Sequence, residues 1–150
     1  MNNPKTVVLS ILMYFVGVSH MIIGLAILVS PQLQQSVAAI YGAQVNWTPE
    51  LTYVLRVLGA FMLALGGIGV MAARDPLSHP GIVIMFAALL TIRVLQRAVF
   101  SNDIQNLFAI SSWRLWSTAL IFLVLALALV GLLVVCRMDR LGGEAQKGPG

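Results

Sequence analysis

Four long apolar runs, parted by short polar or proline-bearing breaks, set the pattern of this chain. They cover about residues 6–30, 51–73, 81–100 and 115–136. A bilayer core of about 30 Å takes about 20 residues of helix, so each run can cross it. The runs are too long for barrel strands and lack their alternation. A helix also pairs every backbone group within itself, as lipid requires. The pattern therefore predicts an all-α, four-transmembrane-helix bundle. Pro31 closes the first run, "RDP" the second, "SND" the third and "RMDR" the fourth. Between the first two spans, Leu33, Val37, Ile40 and Tyr41 recur at helical spacing, which predicts a short interfacial helix ended by Gly42. Residues 1–140 read as one membrane domain, and 141–150, "LGGEAQKGPG", as a disordered cytoplasmic tail.

Composition agrees with this reading. The hydrophobic fraction is 59% against 9% charged, too little polar surface for a soluble domain of 150 residues. The net charge of +4 comes from dispersed residues, not a stripe or cluster, so nucleic acid is not an expected partner. Lys5, Arg74, Arg137, Arg140 and Lys147 fall on one side of the membrane, with only Arg114 in the loops opposite. The positive-inside rule then places both termini in the cytoplasm. Trp47, Trp113 and Trp116 fall at the opposite, outer face, as interfacial anchors do. The lone cysteine, Cys136, leaves no internal disulfide and no thiolate metal cage.

Polar residues inside the spans are the candidate chemistry. The third span contains "LLTIRVLQRAVF", residues 89 to 100, which puts Arg93, Gln96 and Arg97 on one helical face. His20 shares a face with Gly17 and Gly24, and Arg56 with Gly59, Gly66 and Gly67, so both are expected in close helix contacts. At about 1.5 Å per residue, Arg93 lies about 10 Å and Arg97 about 5 Å inward from Phe100, with Arg56 about 8 Å inward from Leu51. All three occupy the outer half. An arginine at mid-membrane costs about 2.5–3.5 kcal/mol on insertion scales, so partners are required. Two roles are open. Glu50 and Asp103 can act as charge partners to two of the arginines, or the arginines form a cationic vestibule for a lipid headgroup, an anionic metabolite or an acidic partner subunit.

His20 has two readings as well: a hydrogen-bonded core histidine, or an axial ligand to haem or (bacterio)chlorophyll with room supplied by Gly17 and Gly24. No metal site is expected. The spans hold no paired carboxylates, HExxH, CxxC, P-loop or Ser-His-Asp set, and no inverted repeat is visible.

"GLAILVSP", "YGA" and "LRVLGAFMLALGGIGVMAARDP", with a histidine before the third span, resemble the DoxX-like superfamily over roughly residues 15 to 100. The resemblance is to a bacterial four-helix integral membrane family of unknown function within that group. It implies a bacterial inner-membrane protein and a four-helix bundle. It implies little chemistry, although one superfamily subunit is associated with quinone-linked sulfur oxidation. Arg56 matches the recurrent "LR" of the second helix. The expectation is a multi-pass accessory or scaffolding subunit of a larger membrane complex, surrounded by membrane lipids, without catalysis or cofactor of its own. The alternative is a small protein that binds a quinone, pigment or anionic lipid in a cavity lined by His20 and the outer-half arginines.

Overall fold

A computed structural model describes residues 4–145, with side chains described through residue 142. Six helices follow in order: α1 Pro4–Val29, α2 Pro31–Ile40, α3 Pro49–Ala73, α4 Pro80–Val99, α5 Ser101–Phe108 and α6 Ser112–Ala145. Four of them, α1, α3, α4 and α6, are long and apolar enough to span a membrane, and the protein is a multi-pass membrane helix bundle. Its exposed faces are apolar side chains that meet lipid, Phe61, Ile22 and Leu127 among them.

Local sequence sets the breaks. Pro31, Pro49 and Pro80 each open a helix at the position where a missing N–H costs nothing. Ser30 and Thr48 cap α2 and α3 by accepting from the backbone N–H of Gln32 and Leu51. The interfacial helix predicted before Gly42 is α2, and Gly42 ends it with φ of +75°. The turn from α3 to α4 is tied by Asp75, whose carboxylate accepts from the Ser78 hydroxyl at 2.5 Å and backbone N–H at 3.3 Å. Those bonds hold its carboxyl below the ordinary carboxylate range.

Two boundaries differ from the sequence reading. "SND" opens helix α5 instead of a loop, and α6 runs unbroken past Cys136. Residues 141–145 thus belong to a helix and not to a disordered tail, while 146–150 lie outside the described residues. The extension is tied down by an ion pair of Lys5 with Asp139 at 2.9 Å, which brings the start of α1 beside the end of α6. Both groups are partly exposed, so the pair contributes at most about 1 kcal/mol. The end of the bundle bearing these residues is called proximal here, and the opposite end, with the 41–48 and 100–111 connections, distal.

Glycines set how the spans pack. A Cβ on Gly24 would fall 2.6 Å from Leu63 N and 2.7 Å from Gly59 O, and one on Gly66 would fall 2.6 Å from Gly17 O. The α1 and α3 backbones therefore touch through Gly17, Gly24, Gly59 and Gly66 along most of the span. Close backbone approach replaces the hydrophobic drive that lipid cannot supply between helices. α4 packs against α6, and α1 bridges the two pairs, whereas α3 and α4 meet only sparsely. The buried core of Leu9, Met13, Val16, Ala73, Val83, Phe86, Leu90, Leu129 and Leu133 fills the proximal half. The distal half is left open.

Substitution of Gly24 or Gly66 by Ala pushes a methyl into backbone that has no flexible end to move. Thermal unfolding in detergent is expected to show each variant destabilised by about 1–3 kcal/mol. Gly67→Ala, where a Cβ meets nothing within 4 Å, is the control and is expected to be neutral or slightly stabilising.

Candidate functional site

A cavity of about 460 Å³ occupies the gap in the distal half. Its apolar wall includes Ile23 and Ile27 of α1, Leu51, Leu55 and Met62 of α3, and Leu115 of α6. Arg93, Gln96 and Arg97 of α4 line it on one side, and Gln34, Tyr41, Arg114 and Thr118 add the remaining polar groups. Its roof comes from α2, the 43–47 segment with Trp47, and α5 through Ile104 and Phe108. The two roof halves are joined where Gln44 N donates to Phe108 O at 2.7 Å.

The helical spacing of Arg93, Gln96 and Arg97 carries all three to this cavity. Both half-buried guanidiniums lie against the ring of Phe122 on α6, at 5.6 Å for Arg93 and 4.8 Å for Arg97. Arg97 also donates to the Arg93 carbonyl at 3.3 Å. Phe122 packs on the buried core, so the proximal half fixes the platform on which the arginines rest. Each cation–π contact contributes about 0.5–2 kcal/mol. Neither guanidinium is paired with an anion among the described residues, and both line the cavity.

Glu50 and Asp103 do not supply that anion. Neither makes an ion pair with Arg56, Arg93 or Arg97. Glu50 sits in the first turn of α3 and Asp103 in the first turn of α5, where negative charge complements the helix dipole. The Glu50 carboxylate is further held by the Thr48 side chain and its own backbone N–H. Asp103's place was hidden because α5 was not expected.

Arg56 and His20 also stand elsewhere. The face of α3 toward α1 and the cavity runs through Leu55, Gly59, Met62, Gly66 and Gly69. Arg56 lies one position off it and is exposed, where its length lets the charge reach the membrane interface. His20 is buried in the core and outside the cavity wall, with Nδ1 donating to Val16 O at 2.8 Å and its ring edge-on to Phe86 at 5.7 Å. The space beside Gly17 and Gly24 is filled by α3 backbone, so it offers no room for a macrocycle. Among the described residues no three His, Cys, Asp or Glu side chains gather as a metal site.

Arg114 and Gln34 are site residues that the sequence reading missed. Arg114 was counted only as a loop charge, but it packs on Gly42, where any side chain would collide with its guanidinium. Gln34 is 2% exposed and donates from Nε2 to Ile27 O at 2.8 Å and Thr52 O at 3.3 Å. A glutamine that breaks the polarity of an apolar helix face was its available signal. Trp47 lines the cavity, while Trp113 and Trp116 stand exposed at the same distal end.

His20→Leu tests the core reading of that histidine. The Val16 carbonyl lies one turn back in the same helix and keeps its backbone partner, so stability measured by thermal unfolding is expected to change by no more than about 1 kcal/mol. The absorption spectrum of the purified protein is expected to stay the same.

In comparisons with known proteins, the chain matches no family model, no curated protein and no solved structure.

Proposed function

We propose that this protein binds an anionic amphiphile, foremost an anionic lipid, in the distal cavity. Arg93 and Arg97 hold the anion, Arg114 adds charge at the rim, and the apolar wall takes part of the acyl region. The observation that supports this most directly is the arginine pair itself: two half-buried cations on one aromatic ring, facing a cavity, without a carboxylate partner. A quinone carries no charge to match them, and a pigment has no histidine in the cavity wall. The same pair can meet an acidic residue of a larger complex, as an accessory subunit requires. The cavity behind it favours a small amphiphile over a protein surface.

In this proposal the protein has no catalysis of its own and lies in a bacterial inner membrane with both termini cytoplasmic. The distribution of Lys and Arg and the tryptophans at the distal end support that orientation. The distal cavity then faces the outer leaflet. A relationship to the DoxX-like superfamily belongs to the same proposal and adds no residue to the site.

The double variant Arg93→Gln, Arg97→Gln is the test. Native mass spectrometry of protein extracted in mild detergent is expected to show a retained anionic lipid on the unmodified chain, and at least tenfold less on the variant. Equal retention by both, or retention of zwitterionic lipid only, contradicts the proposal. Because the substitution relieves a charge burden, the variant is expected to unfold at the same temperature or higher.

A further inference from the structure

Below its roof the cavity is open on one side. Val54, Leu58, Phe61, Leu65 and Ala72 follow one flank of α3. In the proximal half this flank is closed against α4. Ala72 is buried, Leu65 packs on the core, and a Cβ on Gly69 would fall 2.8 Å from the Phe86 ring. In the distal half the same flank is uncovered, with Val54, Leu58 and Phe61 all exposed. On α4, Val83, Ala87 and Leu90 are buried along the flank toward α6, and Gln96 lies on the other flank. Gln96 marks where the cavity opens. Ile23, Leu55, Met62, Leu115 and Thr118 line it below the roof and are buried or half-buried, whereas Gln96 lines it and is exposed. Its amide offers hydrogen bonds to a polar head crossing an otherwise apolar seam.

Size and cover narrow the ligand further. A volume of about 460 Å³ suits a small drug-sized molecule. It takes a phosphate head and the first carbons of its chains, but a phospholipid's full acyl chains do not fit. The roof covers the distal end, tied by Gln44 to Phe108 and by Gln34 to Ile27 and Thr52. From this, and resting on the anionic-lipid reading above, we infer that the ligand is a bilayer phospholipid drawn sideways from the distal leaflet between α3 and α4. Its phosphate lies on Arg93 and Arg97, and its chains leave past Gln96 and Leu58 and stay in the membrane. The roof stays closed throughout.

The test uses the full chain in nanodiscs holding equal amounts of phosphatidylglycerol and phosphatidylcholine. Leu58→p-benzoylphenylalanine is expected to photo-cross-link phosphatidylglycerol over phosphatidylcholine by about fivefold or more, the discrimination of charge-assisted hydrogen bonds. Ile22, exposed on α1, reads the bulk lipid. Ile22→p-benzoylphenylalanine is expected to take both lipids equally. Adding Arg93→Gln and Arg97→Gln is expected to bring the Leu58 ratio to one. Arg56, on another flank of α3, is still present in that variant, so a preference that survives there overturns the inference. A ratio of one at Leu58 with both arginines present, while native mass spectrometry finds retained phosphatidylglycerol, overturns the lateral route and leaves anion binding intact. Retention of no anionic lipid overturns the anion reading itself. The unmodified protein gives an independent check that needs no variant. Soluble glycerophosphoglycerol is expected not to displace the retained lipid, and displacement at the lipid's own concentration would place the source in water and overturn the inference.

Discussion

Backbone contact between α1 and α3 is the constraint from which the rest of the structure follows. Gly17 and Gly24 lie so close to Gly59, Gly66 and their neighbours that no side chain fits between. In lipid, such packing replaces the expulsion of water as the force between helices. It draws α3 toward α1 and leaves it little surface against α4. The core of Leu9, Phe86, Leu90 and Leu129 closes the proximal half around α4 and α6. At the distal end no equivalent filling exists, and the cavity is the space that remains.

That asymmetry gives the arginines their meaning. Arg93 and Arg97 stand on α4 at the height where the bundle opens, with Phe122 beneath them as an aromatic support. The carboxylates at the distal end, Glu50 and Asp103, serve the first turns of α3 and α5. The positive charge is thus held in place by packing, with no ion pair to a described carboxylate. Gln34 ties the roof to the spans, since its Nε2 donates to Ile27 O of α1 and to Thr52 O of α3.

Periodicity made the four spans, α2 and the shared face of Arg93, Gln96 and Arg97 readable from sequence. The glycines of the first two spans likewise marked a close helix contact. What sequence left open depended on choices smaller than a helical turn. Arg56 and Leu55 are neighbours on α3, and one residue of drift decides which faces the cavity and which the exterior. The eight residues of α5 place Ile104, Leu107 and Phe108 at helical spacing, but over too short a run to stand apart from a loop, so the role of Asp103 was hidden. Arg114 reaches the cavity only because the roof folds over it, which no local pattern encodes, whereas Gln34 is marked by its polarity on an apolar face of α2. His20 shows the converse: its glycine-lined face was legible, but whether those glycines admit a ligand or another backbone is settled by packing alone.

The central claim is that the Arg93 and Arg97 guanidiniums find their counter-anion in a phosphate. Solid-state NMR that couples arginine side-chain nitrogen to phosphorus measures this directly in bilayers containing phosphatidylglycerol. Strong dephasing of two guanidinium signals, absent from the Arg93→Gln, Arg97→Gln protein, is the expected result. Guanidinium signals at Arg93 and Arg97 that sense no phosphorus, and instead couple to the carboxylate carbons of Glu50 or Asp103, would contradict it.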